Sequence, residues 1–150
     1  MKRPKLLALA SGGGHWVQLQ RLRPAFKDFE TVYVSMFPSY AAQVEGSRFY
    51  VVPDASRFDL KSFAPVVMRA LAIFWKERPR AVVTTGSAPM LAFILLGRLI
   101  GARTLWIDSI ANSERLSTSG RMAKRLAHTC VSQWPEVAAK EGVPCWGAVL

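Results

Sequence analysis

Apolar runs of strand length alternate along the chain with longer stretches in which apolar residues recur at helical spacing. This alternation is typical of repeated βα units around a mostly parallel sheet. The apolar runs predict strands at residues 5–10, 31–36, 48–52, 81–85, 104–108, 129–132 and 146–150. The helical spacing between them predicts helices at residues 15–26, 62–77, 87–100, 121–127 and 135–141. We therefore expect one doubly wound α/β domain over residues 1–150.

The spacing within the helices also predicts which side chains face the core. In the first helix these are Val17, Leu19, Leu22 and Phe26. In the second helix, which Ser62 can cap, they are Phe63, Val67, Leu71 and Phe74.

Composition excludes several classes of protein. With 51% hydrophobic and 20% charged residues among 150, the chain can bury a sizeable core and is not intrinsically disordered. Cys130 and Cys145 form neither a zinc-ligand pattern nor a disulfide framework, so a reducing, cytoplasmic setting fits. The first apolar run ends at Ala10 without a signal-peptide pattern, and the run at 89–97 is too short to span a bilayer.

The chain carries 20 Lys and Arg against 10 Asp and Glu, a formal net charge of +10. Such an excess favours a polyanionic partner: nucleic acid, a phosphorylated substrate or an anionic membrane surface. No RNA motif or recognition helix accompanies the charge, so nucleic acid is disfavoured. A membrane-interface helix is indicated by the mixed aromatic and cationic residues Arg69, Phe74, Trp75 and Lys76, although a solvated helix end is the ordinary alternative.

The expected ligand site lies at one edge of the sheet. In a doubly wound sheet a ligand lies outside the carboxyl ends of the strands. The loops that begin at Ser11, Gly86 and Asp108 all follow predicted strand ends. We therefore expect these three loops to meet and to form the site.

The first loop is a glycine-rich turn at a helix N-terminus. That combination favours phosphate or diphosphate, although an ordinary strand-to-helix turn also favours glycine. Val17 stands where the GxGxxG motif needs its third glycine, and no Gly-Lys-Ser/Thr follows, so neither a dinucleotide cofactor nor an NTPase is supported. This glycine-rich turn consists of Ser11, Gly12, Gly13 and Gly14. No cofactor and no metal is expected.

His15 begins the helix that follows this turn, where it can face a bound ligand. A histidine exchanges a proton near neutral pH, so His15 could act as a general base on a sugar hydroxyl. The alternative is a histidine that only hydrogen-bonds a neighbouring loop. Gln18, one helical turn further on, is expected to support the site.

The other two loops add small polar groups. A second strand-glycine-helix turn with free N–H donors is formed by Thr85, Gly86 and Ser87, and two such turns in one sheet suggest a diphosphate. The third loop supplies Ser109, Glu114 and Arg115, which could bind a sugar or a phosphate, or could form a solvated loop.

Together these motifs resemble the acceptor-side, membrane-associated subunit of a split GT-B glycosyltransferase. This is the asparagine-linked glycosylation protein fourteen family, with its bacterial, PssD-like counterparts in capsule and exopolysaccharide biosynthesis. The resemblance covers nearly the whole chain. It rests on residues 13–15 (GGH), 18–19 (QL), 85–89 (TGSAP), 108–111 (DSIA), 116–120 (LSTSG) and 131–135 (VSQWP).

The resemblance implies a Rossmann-like fold equivalent to the N-terminal half of a GT-B enzyme. It implies that this half holds a polyprenyl-diphosphate-linked saccharide at the cytoplasmic face of the inner membrane. A separate subunit would bind the nucleotide-sugar donor, with residues 146–150 as the expected contact. The implied reaction is an inverting, metal-free hexosyl transfer with no activity by this chain alone. The resemblance places His15 and the glycine turn at the acceptor, and either His15 or a residue of the partner subunit would remove the acceptor proton.

Two departures from the family pattern matter. The commoner turn is Gly-Ser-Gly-Gly-His, whereas Ser11 comes first here, and Gln18 matches the bacterial rather than the eukaryotic pattern. The amino-terminal anchor of eukaryotic members is absent, so peripheral attachment would replace it. Two alternatives stay open: a non-catalytic membrane scaffold for a complete transferase, and a self-sufficient nucleotide-binding enzyme.

Overall fold

The leucine-rich and β-branched runs form a six-stranded sheet in the computed structural model, which describes residues 2–149. The strands are β1 (Lys5–Leu9), β2 (Glu30–Ser35), β3 (Phe49–Val51), β4 (Ala81–Thr84), β5 (Arg103–Ile107) and β6 (Thr129–Val131). They lie in the order β3-β2-β1-β4-β5-β6, and every neighbouring pair is parallel. The order reverses between β1 and β4, which makes that junction the switch point where doubly wound proteins bind ligands.

Helices cover both faces of the sheet. They are α1 (Gly14–Arg21), α2 (Phe63–Glu77), α3 (Met90–Leu99), α4 (Thr118–Leu126) and α5 (Pro135–Glu141), with 3₁₀ turns at Arg23–Phe26, Pro38–Val44 and Leu60–Ser62. Strand side chains alternate between two cores, so Leu7 and Leu9 pack with α2 and α3, whereas Leu6 and Ala8 pack with α1. The predicted doubly wound α/β fold is confirmed.

The predicted strand at residues 146–150 is wrong over the residues that the structure describes. Residues 146–149 have no regular structure, and Leu150 lies outside the described range. The segment is attached by isolated bonds, from the Ser132 amide to the Pro144 carbonyl (3.1 Å) and from the Val149 amide to Gln133 Oε1 (2.7 Å). Gly147, with φ of 109°, also interrupts the extended backbone that a strand needs.

Among the helix boundaries that differ from the prediction, two have clear local reasons. The first helix ends at Arg21, and the chain then closes as a 3₁₀ turn because Pro24 has no amide to donate. The helix predicted at 121–127 begins at Thr118, since Ser117 Oγ accepts the Gly120 amide at 2.8 Å and caps it.

The predicted inward faces of α1 and α2 are partly wrong. Val17 and Leu71 are exposed, whereas Leu19, Phe26 and Phe74 are buried as expected. The core also takes side chains that the spacing did not select: Trp16, Val66, Ala70 and Ile73. Ser62 precedes α2 but makes no capping bond to it, because its hydroxyl donates to the Asp59 carbonyl instead (2.6 Å).

A buried carboxylate fixes the far end of α2 to the sheet. Glu77 accepts hydrogen bonds from Arg48, Tyr50 and Lys5. Burial by itself raises the pKa of Glu77, but the hydrogen bonds from Arg48, Tyr50 and Lys5 outweigh it and bring the pKa down to about 2. The cluster joins β1, β3 and α2 at the edge where the strands begin, opposite the switch point.

Candidate functional site

A cleft of about 350 Å³ opens at the carboxyl edge of the sheet. Four loops line it: His15 comes from the start of α1, Arg57 follows β3, Ser87 follows β4, and Ser109 follows β5. The expectation that the loops after β1, β4 and β5 meet at one edge is confirmed. The loop after β3 was not expected at the site.

His15 is fixed by the second of these loops. Its Nδ1 lies 2.9 Å from the carbonyl oxygen of Thr85, and Thr85 Oγ1 donates back to the His15 carbonyl at 2.6 Å. A carbonyl can only accept, so Nδ1 carries the proton and Nε2 of the neutral ring keeps its lone pair. Thr85 therefore selects the tautomer that a general base in the cleft needs.

Gly86 packs against the imidazole of His15. Its φ of 119° is one that side-chain-bearing residues rarely adopt, and a Cβ there would lie 3.0 Å from His15 Cε1. The space beside His15 therefore exists only because residue 86 is glycine.

The glycine turn after β1 is shaped by aromatic neighbours. A Cβ on Gly12 would clash with the Phe37 ring, and Gly13 has φ of 54°. The Gly13 amide donates to the Tyr40 hydroxyl at 3.0 Å, so this amide is not free for a ligand. Gly14 is the first residue of α1, and helix geometry leaves the first amides of α1 without intrahelical acceptors. The anion-binding capacity of the turn lies in these amides.

Ser11 has a structural position in this turn. It is buried, and its carbonyl accepts hydrogen bonds from Ser35 Oγ (2.6 Å) and from the Met36 amide (3.3 Å). These bonds hold the turn to the end of β2. The Ser11 side chain does not line the cleft.

The turn after β4 offers fewer free amides than the sequence predicted. The amides of Met90, Leu91 and Ala92 already donate to carbonyls of residues 87–89. Ser87 has φ of 96°, a conformation that is costly for a residue with a Cβ. The turn presents Ser87, held in a strained backbone, to the cleft together with Ala88 and Pro89.

The loop after β5 is anchored by Asp108, which is buried. Its carboxylate accepts from the Ser117 amide (2.9 Å), Ser117 Oγ (2.7 Å), Asn112 Nδ2 (3.1 Å) and Trp106 Nε1 (3.1 Å). These bonds place Asn112 and Ser117 on the wall of the cleft. A Cβ on Gly120 would lie 2.5 Å from Asp108 Oδ1, so glycine is also needed there.

Gln18, which was expected to support the site, does not line the cleft but is buried in a polar network. It donates to Ser109 Oγ (3.1 Å) and accepts from the Ile110 amide (3.2 Å) and from Gln133 Nε2 (2.7 Å). Gln133 also donates to the Asp108 carbonyl at 3.0 Å. The two glutamines position the third loop, and the sequence could not predict this pair because 115 residues separate them.

Glu114 and Arg115 are exposed and do not line the cleft. The bonds from Asp108 to Asn112 and Ser117 draw both ends of the loop inward, and residues 113–115 project outward between them. The expectation that Glu114 and Arg115 lie in the site is therefore wrong.

Arg57 is a cleft cation that sequence analysis missed. It lies in the loop between β3 and α2, and its guanidinium carbon is 4.5 Å from the centre of the Phe58 ring. Nothing in the local sequence marks this arginine among the others. Its importance follows from the sheet order, which brings the end of β3 to the same edge as β1 and β4.

Of the residues expected at a membrane, Arg69, Trp75 and Lys76 are exposed on the outer face of α2. Phe74 is 4% exposed and packs in the core against Phe93, with ring centroids 5.9 Å apart, so it cannot contact a membrane. The reason is that α2 is apolar on both faces, which obscures from sequence alone which face is buried.

Within residues 2–149, no three His, Cys, Asp or Glu side chains come together as a metal site. No helix in that range is both long enough and apolar enough to cross a membrane. Cys130 is buried as expected, and burial raises the pKa of its thiol to about 12.

No protein-family model matches the chain. It is 23% identical to the UDP-N-acetylglucosamine transferase subunit ALG14 of Yarrowia lipolytica, over 91% of this chain and 76% of that protein. Its fold is similar to MurG of Acinetobacter baumannii, with a TM-score of 0.73, 12% identity, and coverage of 89% of this chain and 42% of MurG. It is also similar to UDP-N-acetylglucosamine 2-epimerase of Rickettsia bellii, with a TM-score of 0.68, 14% identity, and coverage of 95% and 43%.

The chain spans about two fifths of the length of these two solved structures. Its fold is a Rossmann-like half of the GT-B architecture, with the cleft at the switch point of the sheet. Within that class, its sequence is similar to the ALG14 transferase subunit, at 23% identity.

Proposed function

We propose that this chain is the acceptor-side subunit of a two-component glycosyltransferase in capsule or exopolysaccharide biosynthesis. The acceptor is a polyprenyl-diphosphate-linked saccharide, and a separate subunit binds the nucleotide-sugar donor. The proposal is supported by the relative's description as a transferase subunit and by the similarity of this fold to part of MurG. In such a two-component enzyme the donor-binding half would come from another chain.

The observation that carries the proposal is the His15–Thr85 hydrogen bond. It leaves Nε2 of His15 as a proton acceptor in a cleft at the switch point. In the proposed step, Nε2 takes the proton of an acceptor hydroxyl as its oxygen attacks the anomeric carbon of the donor. The new C–O bond forms on the face opposite the bond that breaks, so the nucleoside diphosphate leaves and the configuration inverts.

The rest of the cleft would bind the acceptor diphosphate. The first amides of α1 and the positive end of its dipole favour an anion there. Ser87, whose backbone is strained, and the hydroxyl of Ser109 also line the cleft and would add polar contacts to the acceptor. Four further residues shape this site, although not every one of them would contact the ligand: Gly12, Gly13, Thr85 and Gly86.

Attachment to the cytoplasmic face of the inner membrane would be peripheral, through the outer face of α2. Met68, Leu71 and Trp75 form an exposed apolar stripe along that face, beside the cations Arg69 and Lys76. Apolar area with adjacent cations suits an anionic membrane surface. Nucleic acid is not proposed as a partner.

The test uses the chain co-purified with its donor-binding subunit and supplied with a polyprenyl-diphosphate saccharide. We expect His15→Ala to lower kcat about 10²–10⁴-fold, the usual contribution of a general base, with complex formation unchanged. Arg21→Ala, an exposed change at the other end of α1, is the control. Undiminished activity in His15→Ala would instead favour a scaffold, and full turnover by this chain alone would favour a self-sufficient enzyme.

A further inference from the structure

The two most exposed large apolar side chains of the described residues are close neighbours in one short segment. Phe58 is 84% exposed and Leu60 is 82% exposed, and both belong to the 56–61 loop, which is the outer part of the connection between β3 and α2. Isolated exposed apolar residues are common in soluble proteins, but an adjacent pair of this size next to a cleft is a candidate contact surface.

The 56–61 loop is held by its own hydrogen bonds. Ser56 Oγ accepts the Phe58 amide (3.2 Å), Ser62 Oγ accepts the Ser56 amide (2.9 Å), and Asp59 Oδ1 accepts the Lys61 amide (3.1 Å). Nearby, Ala55 is buried and fixes the start of the loop. The backbone therefore presents the Phe58 and Leu60 side chains to solvent in a defined arrangement.

The charge of this loop suits an anionic partner. It contains the cations Arg57 and Lys61 and one acid, Asp59, whose carboxylate already accepts a backbone amide. Within residues 2–149, no carboxylate lies within salt-bridge distance of Arg57. An apolar tip with unpaired cations on either side is the arrangement expected of a segment that enters the interface of an anionic bilayer.

Arg57 connects this tip to the proposed catalytic cleft. It lines the same cleft as His15 and Ser87, while its guanidinium lies against the Phe58 ring. A guanidinium is planar and donates pairs of hydrogen bonds to phosphate oxygens, so it is well matched to a diphosphate. A lipid diphosphate lies at the membrane surface, which is where Arg57 would be if Phe58 were inserted.

We propose that the 56–61 loop delivers the lipid-linked acceptor to the cleft: Phe58 and Leu60 insert into the bilayer, and Arg57 binds the acceptor diphosphate. This inference rests on the proposed function and adds the residues that recognise its acceptor. It also sets the orientation on the membrane. Trp75 lies about 18 Å along the helix axis from the start of α2, so it would support attachment at a distance from the cleft.

The test measures binding of the full chain to three kinds of vesicle. One contains a polyprenyl diphosphate in neutral phospholipid, the second carries the same charge as anionic phospholipid, and the third is neutral phospholipid alone. We expect the wild type to prefer the first. Arg57→Ala should lose most of that preference while retaining charge-dependent binding, and Arg57→Lys should restore it only in part.

The apolar tip is tested in the same assay. We expect Phe58→Ser with Leu60→Ser to weaken binding to both charged vesicles roughly tenfold or more, because each change removes a large inserted side chain. Met122→Ser removes an exposed apolar side chain of α4 and should leave binding unchanged. Since all these positions are exposed, thermal unfolding should confirm that the variants fold.

The outcomes separate the two proposals. A wild type without preference for the polyprenyl diphosphate would contradict the proposed acceptor and, with it, the role of Arg57. A wild-type preference that survives in Arg57→Ala would overturn only the inference about the loop. Normal vesicle binding by the Phe58 and Leu60 double variant, together with lost assembly with the donor subunit, would show that the loop contacts protein instead.

Discussion

Gly86 and His15 are in contact across the switch point of the sheet: a Cβ on Gly86 would lie 3.0 Å from Cε1 and 3.1 Å from Nδ1 of the imidazole. The same turn supplies the Thr85 carbonyl that accepts from Nδ1. The loop after β4 thus determines both the tautomer and the position of the proposed base.

Gly86→Ala is expected to displace the imidazole and to lower the activity of the reconstituted enzyme about 10- to 100-fold. The matched control is Gly101→Ala, since Gly101 also has a positive φ of 88° but no atom within 4 Å of its Cβ position. Both variants carry backbone strain, and only the first crowds His15. Equal activities in a steady-state assay would show that the position of the imidazole is unimportant.

Asp108→Asn should destabilise the third loop. The change replaces one carboxylate oxygen by an NH₂ group that faces the donors of Ser117 and Asn112. We expect the free energy of unfolding to fall by about 3 kcal/mol and hydrogen exchange to accelerate in residues 109–117. Urea denaturation and exchange measurements check this, with the exposed Asp28→Asn as control. Unchanged exchange in the loop would refute the anchoring role.

Glu77 gives the fold a defined dependence on pH. Its folded pKa of about 2 lies below its ordinary value, so its contribution is complete above about pH 5 and declines as the pH falls toward 2. Glu77→Gln should lower the free energy of unfolding at pH 7 by about 3 kcal/mol. This value is at the lower end of the range for breaking a buried ion pair, because Arg48 is partly exposed. This difference from wild type should shrink on acidification.

The measurement is urea unfolding of wild type and Glu77→Gln between pH 7 and pH 3. Glu114→Gln, an exposed change in a loop, is the control and should have little effect at any pH. A gap between wild type and Glu77→Gln that stays constant across this range would mean that the carboxylate does not act through its charge.

Much of the fold could be predicted from sequence, because β-branched runs, glycines and prolines act locally. The inward face of α2 could not, since Met68 and Leu71 are apolar although they point outward. His15 and Gly86 could be placed at one edge by topology alone. By contrast, the use of the Gly13 amide by Tyr40 depends on a tertiary contact that no local pattern signals.

The role of Gln18 likewise depends on a distant partner that no local pattern signals. A double-mutant cycle tests whether Gln18 positions the third loop. If Gln18 and Gln133 position the third loop through their 2.7 Å hydrogen bond, changing both to Ala should show a coupling energy of about 1 kcal/mol in urea unfolding. Gln20→Ala, on the same helix, paired with Gln133→Ala should show no coupling. Strictly additive effects for Gln18 and Gln133 would show that the hydrogen bond between them does not stabilise the third loop.

The central claim is that the first amides of α1 and the Ser87 turn bind a lipid diphosphate in the cleft. The most direct measurement is an amide NMR titration of the chain with a short-chain, water-soluble prenyl-diphosphate saccharide. We expect saturable shifts that are largest at Gly14, His15 and Ser87, and much smaller shifts with the free saccharide. Shifts confined to the outer loop at Glu114 and Arg115, or equal shifts with the saccharide alone, would contradict the claim.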